Sequence, residues 1–154
     1  MPRIAALPAL VLMAIALPAL AQERAAPRTA TFFDREGVAI GKATLTALPH
    51  GVLFGLDLQG LPDGRWLGFH IHQTGECDAA TGFESAGPHF TISETRHGLK
   101  VDDGPHAGDM PNQHVGADGV LRAEVFNGFV QLGGENGSDL VGRALVLHAG
   151  PDDN

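Results

Sequence analysis

Between residues 29 and 72 the chain repeats one device. Short runs alternate apolar and polar residues, and each is closed by turn-forming residues. The runs are "TATFFD" (29–34), "GVAIGKATLTAL" (37–48), "VLFGLDLQGL" (52–61) and "RWLGFHIH" (65–72), separated by "REG", "PHG" and "PDG". A period of two places alternate side chains on opposite faces of a strand. In the third run Val52, Phe54, Leu56 and Leu58 would therefore share a core-facing side. The pattern resumes at 119–126 and 142–150, with a weaker run at 129–133. Regularly spaced short strands, 21 glycines, 10 prolines and scarce helical periodicity predict an all-β antiparallel sandwich or barrel.

Residues 73 to about 118 break the pattern. They hold little periodicity and much Gly, Pro, Asp and Thr, together with His89, His97, His106 and His114. A loop this long inside a compact domain is uncommon and usually functional or disordered. Lying between strands, it needs something to tie it down.

Histidine supplies the candidate. The chain holds eight: His50, His70, His72, His89, His97, His106, His114 and His148. His70 and His72 lie two apart on a predicted strand and point the same way, opposite Phe69 and Ile71. Imidazole ligates copper or zinc, and a carboxylate can complete a zinc shell. In "HAGDM" His106 and Asp109 are three apart, close enough to meet at one ion. These residues predict one or two divalent metal sites that organise the loop against a sheet, with the identity of the metal left open. His50, in the turn "LPHG", and His114 read as solvated or structural.

The first 21 residues stand apart. Arg3, an apolar stretch from Ile4 to Leu20 and the small-residue ending "ALA" have the form of a secretory signal peptide. Its two prolines and short span argue against a membrane anchor. Residues 22–28 read as a flexible lead-in and 29–154 as one domain. Loss of Arg3 takes the formal charge from −8 to about −9, which disfavours nucleic acid or anionic membrane as partners. The single Cys77 is an odd thiol for an exported protein: free, paired between chains, or without its partner here.

The stretches "GFHIH" (68–72), "SAGPHF" (85–90), "RHG" (96–98), "GPHAGDMPN" (104–112) and "GRALVLHAGPDD" (142–153) resemble, in order, those of the exported bacterial branch of the copper/zinc superoxide dismutase family. The resemblance implies a Greek-key antiparallel β-barrel or sandwich with a long metal-binding loop. It implies copper on His70, His72, His89 and His148, and zinc on His89, His97, His106 and Asp109. His89 would be the catalytic bridge, and Asp152 an outer carboxylate linking a ligand of each metal. The implied reaction turns superoxide into dioxygen and hydrogen peroxide, in the periplasm or outside the cell, with a homodimer left open. The family pattern also continues past "HAGPDD" with an arginine beside copper, the disulfide partner that Cys77 would need and the last strand. The chain is thus expected to be C-terminally incomplete, and the alternative to an enzyme is an exported copper/zinc-binding or metal-buffering protein with little turnover.

Overall fold

The computed structural model describes residues 26–134 and 137–154. The expected signal peptide and most of the lead-in lie outside these residues. Among the described residues seven strands form: β1 (Arg28–Phe33), β2 (Ala39–Leu48), β3 (Gly51–Leu58), β4 (Trp66–His72), β5 (Asp109–His114), β6 (Leu121–Asn127) and β7 (Ala144–Leu147). They make two antiparallel sheets with strand orders β1-β2-β3-β6 and β5-β4-β7. Consecutive hairpins build the first three strands, and β6 then returns to pair with β3 from Val52↔Asn127 to Leu58↔Leu121. A strand returning by a long connection beside an earlier one is the Greek-key move.

Alternation sets the core as expected. Val52, Phe54, Leu56 and Leu58 are buried, as are Leu67, Phe69 and Ile71 from the other sheet. The Phe54 and Phe69 rings meet edge-on across the sheets, 6.3 Å between centroids at 88°, the geometry in which a ring edge faces a π-cloud. Phe32 of β1 packs on the same Phe69.

Two strand expectations are corrected. Residues 109–114, read as part of an irregular loop, form β5 and pair with β4. Its apolar alternation is hidden by Pro111 and by the polar side chains of Asp109, Asn112 and Gln113, of which Asp109 and Gln113 are buried. The run 129–133 is not a strand; it makes only the isolated bridge Gln131↔Asp139. Single-turn 3-10 helices, Ala79–Thr81 and Glu84–Ala86, give the early loop its local order.

The loop is tied to β4 by a closed ring of three backbone hydrogen bonds. Ile71 N–H donates to Gly108 O at 2.9 Å, Gly108 N–H to Phe90 O at 2.8 Å, and Phe90 N–H to Ile71 O at 2.8 Å. Ring closure demands that the three backbones nearly touch. At Gly108 a Cβ would sit 2.3 Å from Ile71 O and 3.1 Å from Phe90 N, so any side chain there must force the strands apart.

β1 and β7 each end a sheet. Between them runs a groove of about 630 Å³ lined by apolar side chains that include Phe32, Phe33, Leu67, Leu145 and Leu147.

Gly108→Ala is expected to cost the metal-free protein about 1–3 kcal/mol by overpacking. Gly150→Ala, with nothing within 4 Å, should stay within about 0.5 kcal/mol of the parent. Urea unfolding of the three proteins checks this, and equal losses at both positions would contradict the account of the ring.

Candidate metal centre

The ring of hydrogen bonds places five side chains at once, and β7 adds a sixth. His70 and His72 flank Ile71, His89 precedes Phe90, Ala107 and Gly108 separate His106 from Asp109, and β7 brings His148 alongside. Pairing of His70 with Val146 runs β7 antiparallel to β4, and His148 N–H then donates to Gly68 O at 2.8 Å. The imidazole face of β4 is consequently no solvated surface: His70 is 3% exposed and His72 9%.

Two four-residue donor sets result, with a smaller group of His70, His97 and Asp152 between them. The ligand atoms of His70, His72, His89 and His148 lie within 4.8 Å of one another, and so do those of His89, His97, His106 and Asp109. His89 belongs to both. Its ring centroid is 4.1 Å from that of His70 and 4.8 Å from that of His97, so it stands between the sets.

Hydrogen bonds fix which nitrogen His72 and His70 offer. His72 Nδ1 donates to Gly87 O at 2.7 Å, leaving Nε2, which faces His148 Nε2 at 3.3 Å. His70 Nε2 is bound to Asp152 Oδ2 at 2.6 Å, leaving a buried Nδ1 with no partner among the described residues. His106 Nδ1 is also buried and without a hydrogen bond. A buried polar atom costs free energy unless something satisfies it. Two nitrogens facing each other at 3.3 Å are spaced as ligands of one ion are, at metal–nitrogen distances of about 2.0–2.1 Å. The residues therefore fit metal ions on the evidence of their own unsatisfied atoms.

Asp109 organises the second set. Its Oδ2 accepts from the backbone N–H groups of Gly98 at 2.9 Å and His106 at 3.0 Å. That pins the carboxylate and presents Oδ1 to three Nδ1 atoms, of His97 at 3.0 Å, His89 at 3.1 Å and His106 at 3.7 Å. Three nitrogens and one oxygen make a set suited to zinc. Asp152 links the sets, with Oδ1 2.9 Å from His97 Nε2 and Oδ2 on His70. Its own backbone is clamped by Asn112, which accepts from Asp152 N–H and donates to Asp152 O, both at 2.8 Å.

The electrostatics divide the sets. Burial pushes the His70 imidazole down to about 4, helped by the neighbouring His89. Burial also lowers His72 and His148. These rings are neutral at neutral pH and hold free lone pairs. His97 goes the other way: burial lowers it, but Asp152 and Asp109 together outweigh that and raise it. Burial would raise both carboxyls. For Asp109, bonds from His89, Gly98, His97 and His106 hold it well below the usual range; for Asp152, those from His97, Asn154 and His70 do the same. The carboxylates stay charged where positive ions would sit.

Every metal-site residue expected from the sequence falls in one of these sets or, for Asp152, between them. His50 and His114 are exposed and belong to neither set; His114 stacks on Trp66 at 4.9 Å. Cys77 is exposed and free of any disulfide among the described residues. It lines the same groove as His72 and His148, which opens one side of the first set to solvent. Sequence reasoning missed Asn112 and the Gly87 carbonyl. Nothing in composition or spacing marks a residue that acts through backbone groups 40 positions away.

The copper/zinc superoxide dismutase family profile matches residues 39–154. A superoxide dismutase [Cu-Zn] of Aquifex aeolicus is 47% identical over 127 residues, covering 80% of this chain and 74% of the relative. One of Caulobacter vibrioides is 42% identical over 131 residues, covering 82% and 74%. Among solved structures, a superoxide dismutase-like protein from Bacillus subtilis superposes with a TM-score of 0.79 at 32% identity, covering 83% of this chain and 87% of that one. The Cu/Zn superoxide dismutase of Brucella abortus shares the fold at a TM-score of 0.63 and 24% identity. With three-quarters of the chain matched in sequence, and its histidines gathered into two donor sets that share one ring, this protein belongs to the copper/zinc superoxide dismutase family.

Proposed function

We propose that the chain disproportionates superoxide with copper held by His70, His72, His89 and His148, and zinc held by His89, His97, His106 and Asp109. The sharing of His89 between two four-residue donor sets carries this reading. When bound, copper supplies one-electron oxidation and reduction, and zinc supplies a fixed positive charge.

The protein's share of the work follows from its hydrogen bonds. His89 turns Nδ1 toward Asp109 and keeps Nε2 for the other set. Imidazole alone among side chains offers two opposed nitrogens and can still carry a proton. His89 Nε2 is thus the atom that takes up and gives back a proton for peroxide formation. Gly87 O fixes the tautomer of His72, and Asp152 fixes the rings of His70 and His97. Such partners set ring orientation and ligand basicity. The groove beside His72 and His148 leaves one side of the first set open to solvent. Export is supported by the form of residues 1–21.

Metal titration with turnover tests the assignment. The parent should bind about one copper and one zinc and consume superoxide. His89→Ala should lose the shared ring, weaken both ions and lower turnover at least about 100-fold. Asp152→Asn should weaken metal retention about 10- to 100-fold against a chelator while keeping both stoichiometries. Undiminished turnover in His89→Ala would overturn the assignment.

The metal-free protein should lose stability on acidification. His70, His72 and His148 have folded values below the ordinary 6.5. Between about 6.5 and 4 the unfolded chain therefore binds more protons than the folded one, and stability falls as pH falls. His97, raised above 6.5, has the opposite sign: its contribution is present at low pH and lost as pH rises through its folded value. Asp109 and Asp152 lose their contributions only at lower pH still. Three lowered rings outweigh one raised ring, so the urea midpoint should drop from pH 6.5 to 4.5; a rise would contradict the burial argument.

Mass spectrometry of the periplasmic fraction of an expressing bacterium should find a mature N-terminus at Gln22. Recovery of the uncleaved chain from the cytoplasm would refute export.

A further inference from the structure

The arginine just before β7 touches no metal-set residue, yet it touches the chain neighbours of two of them. Arg143 Nη1 donates to Gln73 O at 2.8 Å, and Gln73 follows His72. Its guanidinium carbon lies 3.8 Å from the centroid of the Phe90 ring, and Phe90 follows His89. Its Nε donates to Asp139 O at 3.2 Å, which anchors it to its own loop. His72 and His89 face each other in an isolated antiparallel bridge, flanked by Gln73 N–H to Pro88 O at 2.9 Å and Phe90 N–H to Ile71 O at 2.8 Å. One planar cation thus caps both sides of the bridge that sets the spacing of two donor rings, and it sits at the root of the strand leading to His148.

We propose that Arg143 is a positioning residue for the first donor set, holding the His72–His89 bridge in register through the Gln73 carbonyl and the Phe90 ring. The fork supplies two carbonyl bonds at fixed angles while its flat face stacks on an aromatic ring. A lysine offers the charge and one bond but not that geometry. Bonds from a charged donor are the stronger kind, and here they act where the loop leaves the sheet.

Amide hydrogen exchange on the metal-free protein tests this without reference to the copper assignment on which the functional meaning rests. In Arg143→Met, exchange at Gln73 and Phe90 should speed up about tenfold or more, with Phe54 in the far sheet unchanged. Arg143→Lys should fall between parent and Met variant. Arg122→Gln, which removes only an exposed pair with Asp57, should match the parent. On copper loading, the electron paramagnetic resonance hyperfine pattern should change in Arg143→Met and shift partway back in Arg143→Lys. Parent-like exchange in Arg143→Met overturns the proposal, as does acceleration spread evenly through β2 and β3, which marks a global effect. If Arg143→Met does not fold, Arg143→Lys decides alone, and parent-like exchange there overturns the need for the fork. Failure of the parent to bind copper would count against the functional assignment and leave the exchange result to judge the arginine.

Discussion

Three backbone segments from distant parts of the chain meet in a closed ring of hydrogen bonds at Ile71, Phe90 and Gly108, and the site depends on that contact. The ring contains no member of either donor set, yet its residues have candidate donors as close neighbours. It lets a sheet strand, a returning loop segment and the start of β5 behave as one rigid piece. Side chains that must hold donors to within a fraction of an ångström need such a base, because ligands mounted on an independent loop would bear the entropy of ordering it at each binding event.

Above this base the structure separates two electrostatic tasks. The first set is four imidazoles, of which His70, His72 and His148 are kept neutral by burial. The second is built around a carboxylate held ionised by donors on both of its oxygens. Neutral, polarisable nitrogen suits an ion that changes oxidation state, while an anionic oxygen suits one that keeps a constant charge. Asp152 couples the two, so orientation on one side is felt on the other. The arrangement is dense in mutual dependence: Asp152 orients two rings, and Asn112 in turn holds the Asp152 backbone.

Much of this was legible in the chain. Alternation identified β1 to β4, β6 and β7, because strands with one face in the core must write their period into the sequence. It named the buried face of β3 residue by residue. It failed at β5, where Pro111, Asn112 and ligand chemistry displace the apolar alternation, and it overread 129–133. The candidate donors were read as residue types with a spacing, and the family resemblance sorted them into the groups that the fold brings together. His50 and His114 were rightly set aside as exposed. Asn112 and Arg143 were invisible, since each acts on backbone or ring atoms remote in sequence, and such contacts leave no periodic trace.

Residue identity and local period alone pointed to divalent-metal binding and to an all-β fold: an excess of histidines, an aspartate three residues from one of them, and regularly spaced short strands. Identity and period are properties of the chain alone. Folding alone settles which nitrogen of His70 and of His72 is free, that His89 stands between two sets, and that a glycine must occupy position 108. These are matters of angle and separation between segments tens of residues apart. They are settled by the packing and hydrogen bonding of the folded backbone, not by any stretch of sequence.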